Sequence, residues 1–175
     1  MGNEFGRLVD GTAPEQLDAD TPFTEFTVRG VINHVIGGAT MFAAAFEHGA
    51  VPDDELGKIM GDMVGDDPSV AYAAASARVQ AAYHAPGALD GMVTLPFGEM
   101  PREAALGIGV FDVGVHAWDL AQATGQTLEL SEDLLALGRT MDLGQYRGVM
   151  LAEEVIVVET APARDRLVAA SGRTP

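Results

Sequence analysis

The run VFDVGVHAWDLAQATG, residues 110–125, sets two carboxylates and an imidazole among small and apolar residues. Residues four apart share a helix face, so Asp112 and His116 point the same way, and Asp119 stays near that face. Ala105, Ile108 and Gly109 continue the face and are apolar or small, which predicts that it turns inward. A carboxylate placed there must be paired, protonated or bound to metal.

One carboxylate and one histidine do not complete a metal site, and the chain has four histidines. His48 and His84 each stand near the C-terminal end of a helical block, where an imidazolium meets the helix dipole favourably. His34 lies in the middle of VINHVIGG, between valine and isoleucine, and has no such explanation. His34, Asp112 and His116 would make a two-histidine, one-carboxylate set from two helices, which leaves coordination positions open for water or substrate. The same spacing fits a buried hydrogen-bonded pair, with Asp112 holding His116 and His34 bonding a backbone carbonyl. Asp119 is the candidate catalytic carboxylate. It either accepts a hydrogen bond from a ligating imidazole or a bound water, or pairs with an arginine such as Arg139. Trp118 reads as a packing residue. Arg78, Arg102 and Arg147 are the cations that could hold an acidic substrate, and nothing in the sequence ranks them.

Turn signals show which elements must position these residues. Pro22 breaks the chain, and Thr24 or Thr27 caps a helix whose apolar residues run from Val28 to Phe46, with Gly49 as its stop. Residues 51–68 are acidic and glycine-rich, a loop with at most a short turn. Pro68 opens a second long helix, ended by Pro86 and Gly87. Met92–Leu95 is a short extended piece. Pro101 starts the helix carrying Asp112 and His116, and Gly125 ends it. Ser131 caps the next block, where Glu132 and Asp133 suit the positive end of the helix dipole. Val155–Val158 either pairs with Met92–Leu95 or is coil. Glu4–Val9 forms a stubby helix, and one short helix closes the chain. Four substantial helices around one core predict an all-α fold in a single domain, residues 1–175, with minor extended segments. Gly107, Gly109 and Gly114 permit close helix approach, in a tight bundle or a homodimer.

Composition removes several classes of function. Ten basic against 26 acidic residues give a formal charge of −16, a field that repels nucleic-acid backbones and anionic lipid surfaces. No apolar run reaches the roughly 18 residues that span a bilayer, and the start, MGNEFGRLVDG, carries no signal-peptide pattern. The expectation is a cytoplasmic protein that binds neither nucleic acid nor membrane. Cysteine is absent, so any thiol chemistry requires a thiol from outside.

The segments TPFTEFTVRGVINHVIGGATMFAAA, LPFGEMP, DVGVHAWDLAQATGQ and APARDRLVAASGRTP resemble, in order, the motifs of an actinobacterial family. It belongs to the DinB/YfiT-like superfamily, beside the mycothiol-dependent maleylpyruvate isomerases. The resemblance implies a four-helix bundle of the DinB/YfiT-like type with a divalent metal on His34, Asp112 and His116. The metal would be Zn²⁺ first, with Ni²⁺ or Fe²⁺ as alternatives. It further implies an S-transferase or isomerase that uses an external low-molecular-weight thiol on a small electrophile: an epoxide, an enone or a cis-alkene dioate. Two departures stand out. The isomerases carry glutamate where this chain has Asp112, one methylene shorter. The family's usual Pro-Cys-x-x-Trp is replaced around Phe23 and Phe26. Two other readings remain: a metal-dependent hydrolase or hydratase that needs no thiol, and a non-enzymatic small-molecule-binding bundle whose polar trio is structural.

Overall fold

The computed structural model describes residues 2–141, 144–148 and 151–175. The helices are α1 (Gly2–Asp10), α2 (Val28–His48), α3 (Asp53–Ile59), α4 (Pro68–Tyr83), α5 (Arg102–Thr124), α6 (Glu132–Thr140) and α7 (Ala163–Ala170), with a hairpin of β1 (Met92–Leu95) and β2 (Gly98–Pro101) between α4 and α5. Their ends follow local chemistry. The Thr27 hydroxyl accepts from the Gly30 amide, and Gly49 closes α2 at φ +82°. The Asp67 carboxylate accepts from the Val70 amide ahead of Pro68. Ser131 accepts from the Leu134 amide at the start of α6. Each such cap contributes about 1 kcal/mol by satisfying an amide that has no helical partner.

The bundle consists of α1, α2, α4 and α5, with α4 and α5 each packing on both α1 and α2. The short α1 is thus a full member. Phe5 and Leu8 are completely buried, beside Ile32, Ile36 and Leu120; burying each such side chain stabilises by roughly 1.5–3 kcal/mol. The helix that Ser131 caps, α6, stands outside the bundle. It packs on the outer side of α5 with α7, joining Phe111 and Val115 to Leu134, Leu135 and Leu167. Gly114 lets α6 approach closely: a β-carbon there would force the buried Leu134 side chain to shift. Gly109 is likewise filled from within the chain, by Phe42 and the Tyr83 hydroxyl. Of the three glycines, Gly109 faces the bundle, and Gly107 and Gly114 face α6.

Two expectations about the connections change. Residues 51–68 hold a helix, α3, whose Glu55 is tied to α4 by Arg78. Met92–Leu95 does pair, but with Gly98–Pro101 across a two-residue turn. Val155–Val158 forms no strand; Val155 donates one backbone hydrogen bond to Ala169, while Ile156 and Val158 face outward. By length and composition α5 would also span a membrane, but most of that stretch is buried inside the protein, as in a core helix.

Candidate metal centre

The seam between α2 and α5 brings the three expected residues together. His34 projects from the second turn of α2, and Asp112 and His116 from the middle of α5. The Asp112 Oδ1 lies 3.3 Å from His34 Nε2 and 3.5 Å from His116 Nε2. The three ligand atoms all fall within 4.8 Å of one another, and the imidazole centroids are 4.6 Å apart. Donor atoms around a tetrahedral ion at ~2.0–2.1 Å lie roughly 3.4 Å from each other, so both measured separations fit a small divalent ion. Two nitrogen donors and one oxygen donor also suit zinc and its neighbours chemically.

The site is less buried than the apolar flanks of these residues predict. Only His116 is buried; the side chains of His34 and Asp112 keep 39% and 32% of their exposure. They line a cavity of about 220 Å³ together with Phe23, Phe26 and Arg173. Of the hydrogen-bonded reading, Asp112 does stand beside His116, but His34 bonds the Asp112 carboxylate where a backbone carbonyl was expected. Phe26 lies 5.3 Å from the His34 ring and Phe23 5.8 Å from the His116 ring, so the two phenylalanines that depart from the family motif wall the site.

Behind His116 lies a buried knot. Asp119 is fully enclosed, and its Oδ2 stands 2.9 Å from His116 Nδ1. The same carboxylate takes two hydrogen bonds from Arg173, Nε to Oδ1 at 2.8 Å and Nη2 to Oδ2 at 2.7 Å. Burial works against a charge on Asp119, but the bonds from His116 and Arg173 outweigh it and hold the carboxyl below its ordinary range. An ionised carboxylate only accepts, so His116 Nδ1 is the donor in that bond, and Nε2 is the ring nitrogen that faces the trio. Asp112 is similarly lowered: burial opposes its charge, and His116 and the His34 hydrogen bond prevail. In His34, burial opposes protonation, and Asp112 overcomes it to raise the imidazole above its usual value.

Asp119 thus meets both sequence readings at once, bonding an imidazole and an arginine. The arginine is Arg173, 54 residues away; the Arg139 side chain lies outside the described residues. Gly172 makes this possible. It turns the chain at φ +88°, and a β-carbon there would stand 2.6 Å from the Ala152 β-carbon. The tail then folds back so that the Arg173 guanidinium sits 4.6 Å over the Phe23 ring. The only sequence signal was a basic residue after a serine–glycine turn, which does not say where the turn leads. The three arginines considered for substrate are engaged elsewhere. Arg78 bridges Glu47 and Glu55, Arg102 ties backbone carbonyls of Phe46, Ala88 and Met92, and Arg147 bonds the Ala152 carbonyl. His48 stands beside Glu47. The His84 ring donates from Nδ1 to the Gln80 carbonyl near the end of α4, and neither histidine joins the trio. Trp118 is buried, as a packing residue should be.

A helical bundle with two histidines and a carboxylate across one seam is the class that fold and site define. The sequence profile of the mycothiol maleylpyruvate isomerase N-terminal domain family matches residues 1–121, and the chain belongs to that family. The uncharacterized proteins Rv0738 and MT0763, from two strains of Mycobacterium tuberculosis, are each 33% identical over 180 residues, covering 97% of this chain and 92% of their own length. A crystal structure of a mutant mycothiol-dependent maleylpyruvate isomerase shares the fold, with a TM-score of 0.63 at 14% identity, over 78% of this chain and 62% of the isomerase. The chain therefore spans less than two thirds of that enzyme's length. Arg173 lies beyond the span that the family profile matches.

Proposed function

We propose that this protein is a cytoplasmic, metal-dependent S-transferase or isomerase that uses an external low-molecular-weight thiol of the mycothiol type on a small electrophile. The observation that carries the proposal is the convergence of His34 Nε2, His116 Nε2 and Asp112 Oδ1 at the wall of a cavity. Family membership supports the thiol. So does the absence of cysteine, since no thiol of the protein competes for the site. A divalent ion held by these three side chains, Zn²⁺ first and Ni²⁺ or Fe²⁺ as alternatives, would bind the thiol and lower its pKa enough to give thiolate near neutral pH.

The residues around the trio have separable tasks. Asp119 accepts a hydrogen bond from His116 Nδ1 and so turns Nε2 toward the trio, which makes it a positioning residue that does not touch substrate. Arg173 keeps Asp119 charged. Phe23 and Phe26 restrict water at the histidine rings, which strengthens charge interactions there.

The test compares wild-type protein, purified without a histidine tag, with His116→Ala. Metal is measured by elemental analysis, and consumption of an enone or epoxide is followed with and without added thiol. The expected result is about one metal per wild-type chain, little in the variant, and turnover that needs both thiol and metal. Metal-free wild type, or turnover unchanged by a chelator, overturns the proposal. Turnover that needs metal but no thiol transfers the assignment to a hydrolase or hydratase.

A further inference from the structure

Asp112 borders a second, larger cavity on the opposite side from Arg173. It is about 520 Å³ and lies among α2, α4 and α5, within the size range of small-molecule sites, roughly 300–1,000 Å³. Val35, Phe42 and Val79 supply its apolar wall. Among the described residues no lysine or arginine lines it, and Asp112 is its one carboxylate. Most of its other polar groups are already engaged: Gln80 donates to the Ser76 hydroxyl, and His84 Nδ1 is taken by the Gln80 carbonyl.

Tyr83 differs. Its ring packs edge-on against Phe46 at 4.8 Å, and its hydroxyl reaches the space over Gly109, one helical turn before Asp112. Among the described residues nothing hydrogen-bonds that hydroxyl, and burial, aided by the Asp112 charge, pushes its pKa up. The phenol keeps its proton and has a donor to spare, close to the trio.

We infer that this cavity holds the electrophile, and that the electrophile is an uncharged, mainly apolar molecule whose carbonyl or epoxide oxygen accepts a hydrogen bond from Tyr83. The inference rests on the proposed thiol reaction and narrows its substrate. Of the three electrophile types, it retains the enone and the epoxide and rejects the dioate. With Asp112 and the bound thiolate, the divalent ion of the proposed reaction has no net charge left to offset a carboxylate, and among the described residues no lysine or arginine lines the cavity; desolvating an unpaired charge is costly. Arg173 faces the smaller cavity, and its guanidinium is committed through Nε and Nη2 to Asp119 and through Nη1 to Ser171.

The test uses two molecules of nearly the same shape, benzylideneacetone and cinnamate, which differ in a methyl ketone against a carboxylate. Each is titrated calorimetrically into the protein as purified, with metal content measured on the same samples. Gly38 lines the cavity, and a β-carbon there meets nothing within 4 Å. Gly38→Leu therefore fills the cavity while improving the helix propensity of α2. The enone should bind saturably to wild type, cinnamate at least about tenfold more weakly, and the enone should be lost in Gly38→Leu. Tyr83→Phe should weaken the enone about two- to tenfold, the effect of one neutral hydrogen bond. Cinnamate binding as tightly as the enone overturns the inference; so does an enone isotherm unchanged in Gly38→Leu, or no saturable binding of either molecule. Metal-free protein that still binds the enone defeats the thiol reaction and leaves the cavity assignment standing, so the two failures are distinguishable.

Discussion

The two sides of the candidate metal centre are built differently. On the α5 side, His116 is buried and bonded to a carboxylate that is itself clamped by Arg173. On the α2 side, His34 has Asp112 and the face of Phe26 for company and stays more than a third exposed. One imidazole is oriented before any ligand arrives, and the other has room to adjust. The contrast shows that a common role as ligand does not imply a common role in stability, because the cost of removing a polar group depends on what it leaves unpaired.

The strongest way to break the comparison is at Asp119. Asp119→Ala strips a buried guanidinium of its partner and should cost about 3–5 kcal/mol in urea unfolding. The double variant Asp119→Ala, Arg173→Met should recover much of that loss, since no buried charge then remains unpaired. A loss under 1 kcal/mol in the single variant, on the order of an exposed ion pair, would show that the knot is not the closed unit described here. Gly172→Ala tests the turn that delivers Arg173. A left-handed residue facing Ala152 should cost about 1–3 kcal/mol, with reduced metal content as His116 loses its support. Full stability and full metal content would place Arg173 elsewhere in solution.

His34→Ala sharpens the contrast from the other side. It should abolish metal retention yet shift the unfolding free energy of the metal-free protein by no more than ~0.5 kcal/mol, as at other surface sites. Unfolding as severe as in Asp119→Ala would erase the distinction. The smallest effect is expected away from both sides, at Glu55, whose hydrogen bonds to Arg78 lower its carboxyl pKa. A depressed folded-state pKa stabilises above the ordinary carboxylate value and loses that contribution as pH falls through the depressed one. Wild type should therefore exceed Glu55→Gln in melting temperature slightly at neutral pH, and the gap should close in acid. A gap that widens in acid would contradict the assignment.

The centre was partly legible in the sequence because helix geometry is local. Spacing of four residues aligns Asp112 with His116 whatever the rest of the chain does, and His34 stood out because its neighbours are core residues. The same logic overstated burial, since apolar flanks say that a helix face turns inward but not that its centre is filled. It also misjudged the weight of α1, where burial of Phe5 and Leu8 depends on neighbours far along the chain.

From its sequence alone, this protein has its helix ends, its Asp112–His116 alignment, its lack of cysteine and its acidic charge, all set by neighbouring residues or by composition. Tertiary structure decided that Arg173 closes on Asp119, that Phe23 and Phe26 face the histidines, and that cavities flank Asp112 on two sides. Those contacts join segments tens of residues apart, and short-range periodicity holds no record of which distant side chain will fill or leave a given space.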